Sequence, residues 1–350
     1  MLPPAFTLED LPVSNGPSPA PARENWPDFL RATAAMAVVV LHCAGHWLYL
    51  YSNISAVSWH FANVTDSLVR ASVPLFFMLS GYLLLRAPVE PAQFLKRHLP
   101  RVLIPLVAWS VACLSYTGAI HNPTKILPLF VSDRVFYHLW FLYAIAGCYL
   151  FLPVVSWTIS SDSEKRCRYI LVLWSLLISI PSVNWIFKQV GAGTKLPLSV
   201  PTLVHYLGYF VAGHVLANRP LSTKQSLSLL VAGFAITAAG TAYISQSAGS
   251  FKGLFYEYGS PNVAFMALGL FSLSRLSSPF THHPIIRRIS DCSLGIYLLH
   301  PIILESCRAH FPGIFQYSPF ATPLVALFVF GLSLGSIDLM RRLPYLQKIV

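Results

Sequence analysis

The sequence predicts an all-α, polytopic integral membrane protein with about ten transmembrane helices and both termini in the cytoplasm. Composition is the first ground. Of 350 residues, 55% are hydrophobic and 11% charged, where a soluble domain carries about 25% charged residues. The second is a succession of apolar runs, each close to the ~20 residues that cross a bilayer. The third is charge placement. With the runs threaded alternately, 17 of the 24 Lys and Arg residues fall on the side of both termini, and the positive-inside rule makes that side cytoplasmic.

Residues 1–25 precede the first run. They hold Pro3, Pro4, Pro12, Pro17, Pro19 and Pro21 with few large apolar residues between them, the composition of a disordered tail. A basic segment followed by an apolar core is missing, so the tail is not a signal peptide and the first run itself directs insertion. Residues 26–350 form one transmembrane domain. The predicted spans are 29–50, 68–87, 99–117, 137–159, 168–187, 201–218, 225–245, 256–274, 286–304 and 321–340. Pro74, Pro105, Pro153 and Pro181 fall inside spans, where neighbouring helices satisfy the carbonyls they free. Trp26, Trp47, Trp59, Trp140, Trp157 and Trp185 fall near span ends, as an aromatic belt requires. The six cysteines form no C-x-x-C pair and read as small apolar packing residues. A net charge of +11 follows from topology and from attraction to anionic lipid headgroups. Its scatter over short loops makes no basic face for nucleic acid.

The first span carries the most informative residues, Arg31 and His42. An ionisable group inside a bilayer-length segment is costly and reads as functional. Eleven residues is about three turns, so both face one side of the helix, about 16 Å apart along its axis. With Arg31 at one surface, His42 lies near the midplane. Arg31 suits an anion site or a headgroup anchor. His42 suits a general base or a polar residue satisfied by a neighbouring helix. His42 and His46 also form H-x3-H, but Cys43 stands where a zinc protease motif has Glu, and no metal is expected.

The later spans add candidates in order. Span two opens with Arg70, with Asp66 one turn earlier as a partner, and holds Ser80-Gly81, a small pair that admits a second backbone or a ligand. Arg97 and Arg101 lie one turn apart at the cytoplasmic start of span three, where helix dipole and amides also favour anions; they read equally as phosphate ligands or as ordinary positive-inside charge. Span four begins with His138, Trp140 and Tyr143, which combine hydrogen-bonding groups with flat aromatic faces. Span nine places Asp291 near the inner surface, Tyr297 deeper, and His300 in the outer half before Pro301.

Taken together, R-x10-H in span one, VPLFFMLSGYLLL (73–85), FLKRHLPRVLIP (94–105), HLWFLYAIAGCYLFLP (138–153) and SLGIYLLHP (293–301) resemble the membrane acyltransferase family 3. The similarity runs from about residue 26 to the C-terminus. HLWFLYAI and YLGYFVAGHVL (206–216) are most similar to the bacterial branch that O-acetylates surface polysaccharide and lipid-linked sugars. The resemblance implies an inner-membrane enzyme, with acetyl-CoA or another short acyl-CoA as cytoplasmic donor and a carbohydrate hydroxyl as acceptor. It also implies that Arg31 and His42 are essential. No appended hydrolase-like domain is expected after the tenth span.

The combined expectation assigns Arg31, Arg97, Arg101 and Ser80-Gly81 to the coenzyme A donor and His42 to proton abstraction, with a transient acyl-His42 as the variant. Arg70, His138, Trp140, Tyr143, Tyr297 and His300 are assigned to the acceptor or to an oxyanion. The rival expectation is a transporter or flippase for an anionic or lipid-linked saccharide, with Arg31 and Arg70 as counter-ions.

Overall fold

A computed structural model describes residues 24–132, 135–159, 164–190, 196, 200–276, 283–313 and 318–350. The tail assigned to 1–25 therefore lies almost wholly outside the described residues. The described residues form helices and no strand. In chain order these are α1 (Trp26–Leu48), α2 (Ala56–Val69), α3 (Ser72–Leu84), α4 (Pro91–His98), α5 (Pro100–Tyr116), α6 (Pro123–Val131) and α7 (Trp140–Thr158). There follow α8 (Glu164–Gln189), α9 (Thr202–Asn218), α10 (Thr223–Ala248), α11 (Pro261–Leu276), α12 (Pro284–His310) and α13 (Thr322–Arg341).

Among the described residues, seven segments are long and apolar enough to cross a membrane. They are α1, α2 with α3, α4 with α5, α7, α8, α10, and α13 with the short turn before it. The other three predicted spans coincide with α9, α11 and α12. The first two have 17 and 16 residues, just short of a bilayer. The 27-residue α12 is long enough but carries Arg287, Arg288, Asp291, Glu305 and Arg308.

Span two is not one helix. Pro74 lacks the N–H that would bond the carbonyl of Arg70, four residues back, and its ring would meet that carbonyl. The helix accordingly stops at Val69 and restarts at Ser72. Arg70 thus sits at an elbow, and the 29-residue apolar stretch becomes two helices.

Small residues bring backbones together across the bundle, as association in lipid requires. A Cβ on Gly81 would lie 2.0 Å from the Phe210 carbonyl oxygen, and one on Gly213 would lie 2.0 Å from that of Met78. Helices α3 and α9 therefore touch backbone to backbone. Gly233 and Gly269 do the same between α10 and α11, each approaching a carbonyl oxygen of the other helix to 2.5 Å in Cβ terms. At one end of the bundle Glu24 contacts Tyr82 and Arg275, Arg275 donates to the Ala217 carbonyl, and the Leu221 amide reaches Ser272. Hydrogen bonds from Trp26, then Tyr82, and the nearby Arg275 charge hold the Glu24 carboxyl below the usual carboxylate range. At the other end Trp59 caps the Leu48 carbonyl, and Asn63 donates to the Ala238 carbonyl.

Candidate active site

Helices α1 and α12 run side by side in the same direction. Near the start of α1, Arg31 donates from Nη1 to Ser290 Oγ at 3.1 Å, and Ser290 donates in turn to Asp28 Oδ1 at 2.7 Å. Asp28 is buried and also lies 3.7 Å from Arg31. Three turns further along both helices, the rings of His42 and His300 lie 5.2 Å apart. The periodicity that put Arg31 and His42 on one face thus has a physical correlate, because that face is the one α12 covers.

Between these levels lies a cavity of about 160 Å³, lined by Arg31, Ser80, Phe141, Ser293 and Tyr297 among others. Tyr297 closes its inner wall. Its hydroxyl donates to the backbone carbonyl of His138, and its ring is 5.5 Å from the His138 imidazole and 6.0 Å from that of His300. His138 and His300 are themselves 6.1 Å apart, and both are fully buried. Arg31, the cavity, Tyr297, His138, His300 and His42 therefore form one line of polar groups through an apolar bundle.

Local structure sets the tautomer of His300. Its Nδ1 lies 3.0 Å from the Ile296 carbonyl. A carbonyl only accepts, so Nδ1 carries the proton and Nε2 presents its lone pair. Nε2 has no hydrogen-bond partner among the described residues. The next residue, Pro301, withdraws the donor that would serve the Tyr297 carbonyl, which loosens the helix at this point.

Arg70 pairs with Asp66 as its spacing predicted. The guanidinium carbon stands 4.2 Å from the Tyr256 ring and 5.8 Å from that of Tyr258, a cation held by aromatic faces. The pair lies against α1, where a Cβ on Gly45 would stand in ordinary contact with Asp66 Oδ2 at 3.7 Å. Trp140 joins the same aromatic layer, stacking on Tyr206 and Tyr258.

Other predicted residues lie elsewhere. Gly81 spends its open space on the Phe210 backbone, so it packs helices where a donor contact was expected. Its neighbour Ser80 does line the cavity. Tyr143 turns to α6, donating to the Phe130 carbonyl at 2.7 Å. Arg97 and Arg101 are exposed around the junction of α4 and α5. The residues that sequence reasoning missed are Asp28, Ser290, Tyr137, Glu305 and Arg308. Asp28 one turn before Arg31 was a readable ion-pair spacing. The contact with Ser290, 259 residues away, had no local signal.

The described residues form an apolar helical bundle crossed by a polar line from an arginine to a histidine pair, with seven helical segments long and apolar enough to cross a membrane, the class of a polytopic membrane protein. The chain belongs to acyltransferase family 3: the family model, described as an acyltransferase domain, matches residues 24–342. It is also similar to a serine/alanine racemase of Enterococcus gallinarum, 26% identical over 296 residues, which is 78% of this chain and 40% of that protein. The chain thus spans less than half the length of that relative. No solved structure matches it.

Proposed function

We propose that this membrane acyltransferase moves an acetyl or other short acyl group from cytoplasmic acyl-CoA to a sugar hydroxyl of a surface or lipid-linked polysaccharide. The observation that carries the reading is the line from Arg31 to His42. An exposed arginine group at Arg97 and Arg101, with Arg31 behind it, suits the phosphates of coenzyme A. The 160 Å³ cavity suits part of the thin pantetheine arm. His42 takes the proton from the acceptor hydroxyl, whose oxygen attacks the thioester carbonyl carbon. The C–O bond forms, the C–S bond breaks, and the departing thiolate takes the proton back from His42. The Arg70 charge and His300 Nε2 stand near enough to shape the charge that develops.

The proposed setting is the inner membrane, crossed ten times, with both termini inside. The meeting of Glu24, Tyr82, Ala217 and Arg275 at one end supports it, because all four belong to predicted cytoplasmic span ends. The racemase name of the relative does not alter the reading, since the chain spans only 40% of that protein. The test is thiol release by purified protein in nanodiscs, given acetyl-CoA and a panel of methyl glycosides. Acceptor-dependent release of free coenzyme A is expected. Saccharide movement across vesicles without coenzyme A release would instead establish the flippase reading.

A further inference from the structure

Helix α12 does not end at the histidine pair. It continues to His310 and carries Glu305 and Arg308 one turn apart. Arg308 donates from Nη1 to Glu305 Oε1 at 2.7 Å and from Nη2 to the His42 backbone carbonyl at 3.2 Å. Tyr137, ahead of α7, donates to the same Glu305 oxygen at 3.2 Å. The Tyr137 ring lies 5.2 Å from the His42 ring. Three side chains from two segments are thus tied to one another and to His42.

The cluster is open. Tyr137 is 45% exposed, and the Glu305 and Arg308 side chains are 30% and 17% exposed. A charged pair open to this degree faces water or a polar ligand, since exposure to hydrocarbon is prohibitive. The contacts above use only Oε1 of Glu305. Oε2 belongs to a side chain 30% exposed and is placed to accept from a ligand at the mouth.

We infer that Tyr137, Glu305 and Arg308 form the sugar subsite that seats the acceptor over His42; this rests on the acyl-transfer reading above. A pyranose has an apolar C–H face and a rim of hydroxyls. The open Tyr137 ring matches the face. Glu305 accepts from hydroxyls and Arg308 donates to them, bonds strengthened by charge. The carboxylate also repels coenzyme A phosphates, which keeps this mouth for the acceptor and leaves the donor to the Arg31 side. Neither Tyr137, Glu305 nor Arg308 stands out in the sequence as a site residue, because each is an ordinary residue at a span edge.

The experiment measures coenzyme A release at varied acceptor and varied acetyl-CoA, using whichever methyl glycoside of the panel the unaltered protein acetylates best. Tyr137→Ala is expected to raise the acceptor KM about tenfold, and Glu305→Gln by about tenfold or more, each with the acetyl-CoA KM within about twofold. Tyr137→Phe keeps the ring and is expected to stay within about threefold. An unchanged acetyl-CoA KM also certifies that the variants are folded. If the unaltered protein turns over but Tyr137→Ala and Glu305→Gln leave the acceptor KM unmoved, or shift both KM values alike, the subsite is overturned and acyl transfer stands. If the unaltered protein releases no coenzyme A with any glycoside, the acyl-transfer reading falls and the subsite with it.

Discussion

Replacing Gly81 by alanine tests the packing on which the cavity depends. The new Cβ would lie 2.0 Å from the Phe210 carbonyl oxygen and 2.6 Å from its Cα. Carbon contacts are optimal near 3.5–4.0 Å, so α3 and α9 must separate by more than about 1 Å. Both obstructing atoms are backbone, so no rotamer change relieves the clash. Overpacking of this kind costs about 1–3 kcal/mol, and the upper end applies. Alanine returns up to about 1 kcal/mol through helix propensity, leaving a net loss near 2 kcal/mol. Gly331→Ala is the control, because a Cβ there meets nothing within 4 Å, and it should be neutral or slightly stabilising. The assay is thermal unfolding in detergent, read beside the acetyl-CoA KM. Ser80, Phe76, Leu79 and Leu83 on α3 line the cavity, so displacing α3 should also weaken donor binding. A Gly81→Ala protein as stable as the unaltered one would refute direct backbone contact between these helices.

Four further outcomes follow from the site. His42→Ala should lower turnover by about 10²–10⁴-fold with acetyl-CoA binding retained; substantial residual transfer by folded protein would remove His42 from the chemistry. Arg31→Ala should weaken coenzyme A binding by one to two orders of magnitude, from about 1.5–3 kcal/mol per charge-assisted contact, and Arg31→Lys should recover only part because an ammonium lacks the planar fork; unchanged calorimetric affinity would make Arg31 a headgroup anchor. Arg70→Ala should destabilise by about 3–5 kcal/mol by leaving the buried Asp66 charge unpaired, and Asp66→Ala added to it should restore part of that stability in denaturation measurements. In sealed vesicles of known orientation, acetyl-CoA on the Arg97–Arg101 side alone should support transfer to an acceptor on the other side, and equal activity from either face would defeat the two-mouth arrangement.

The sequence made the Arg31–His42 face legible because helical periodicity is a local property. The Asp66–Arg70 pair was legible for the same reason. What lay beyond reach was the partner of each face. Nothing near Arg31 announces Ser290, and nothing in Ser80-Gly81 says that the serine meets the cavity while the glycine meets Phe210. Tyr143 looked like its neighbours Trp140 and His138, but its hydroxyl is taken up by the Phe130 carbonyl of α6, a partner 13 residues back that no local pattern names. The elbow at Arg70 was readable in principle from Pro74, whose effect falls four residues upstream, yet membrane spans also tolerate internal prolines, so the run suited one continuous span as well. Length and composition favoured ten crossings. By the same measures, α9 and α11 are slightly short and α12 is not apolar enough to qualify unaided.

One helix, α12, supplies Ser290, Ser293, Tyr297, His300, Glu305 and Arg308 in that order. Each successive residue advances 1.5 Å and turns about 100°. A single inserted residue between Ser290 and Tyr297 would therefore rotate at least Tyr297, His300, Glu305 and Arg308 by about 100° relative to Arg31. Every side chain would survive chemically and none would face its partner. The helix works as a camshaft, in which timing resides in the angles between lobes. Someone re-engineering this protein can exchange lobes one at a time or extend the shaft beyond Arg308, but cannot lengthen it between them.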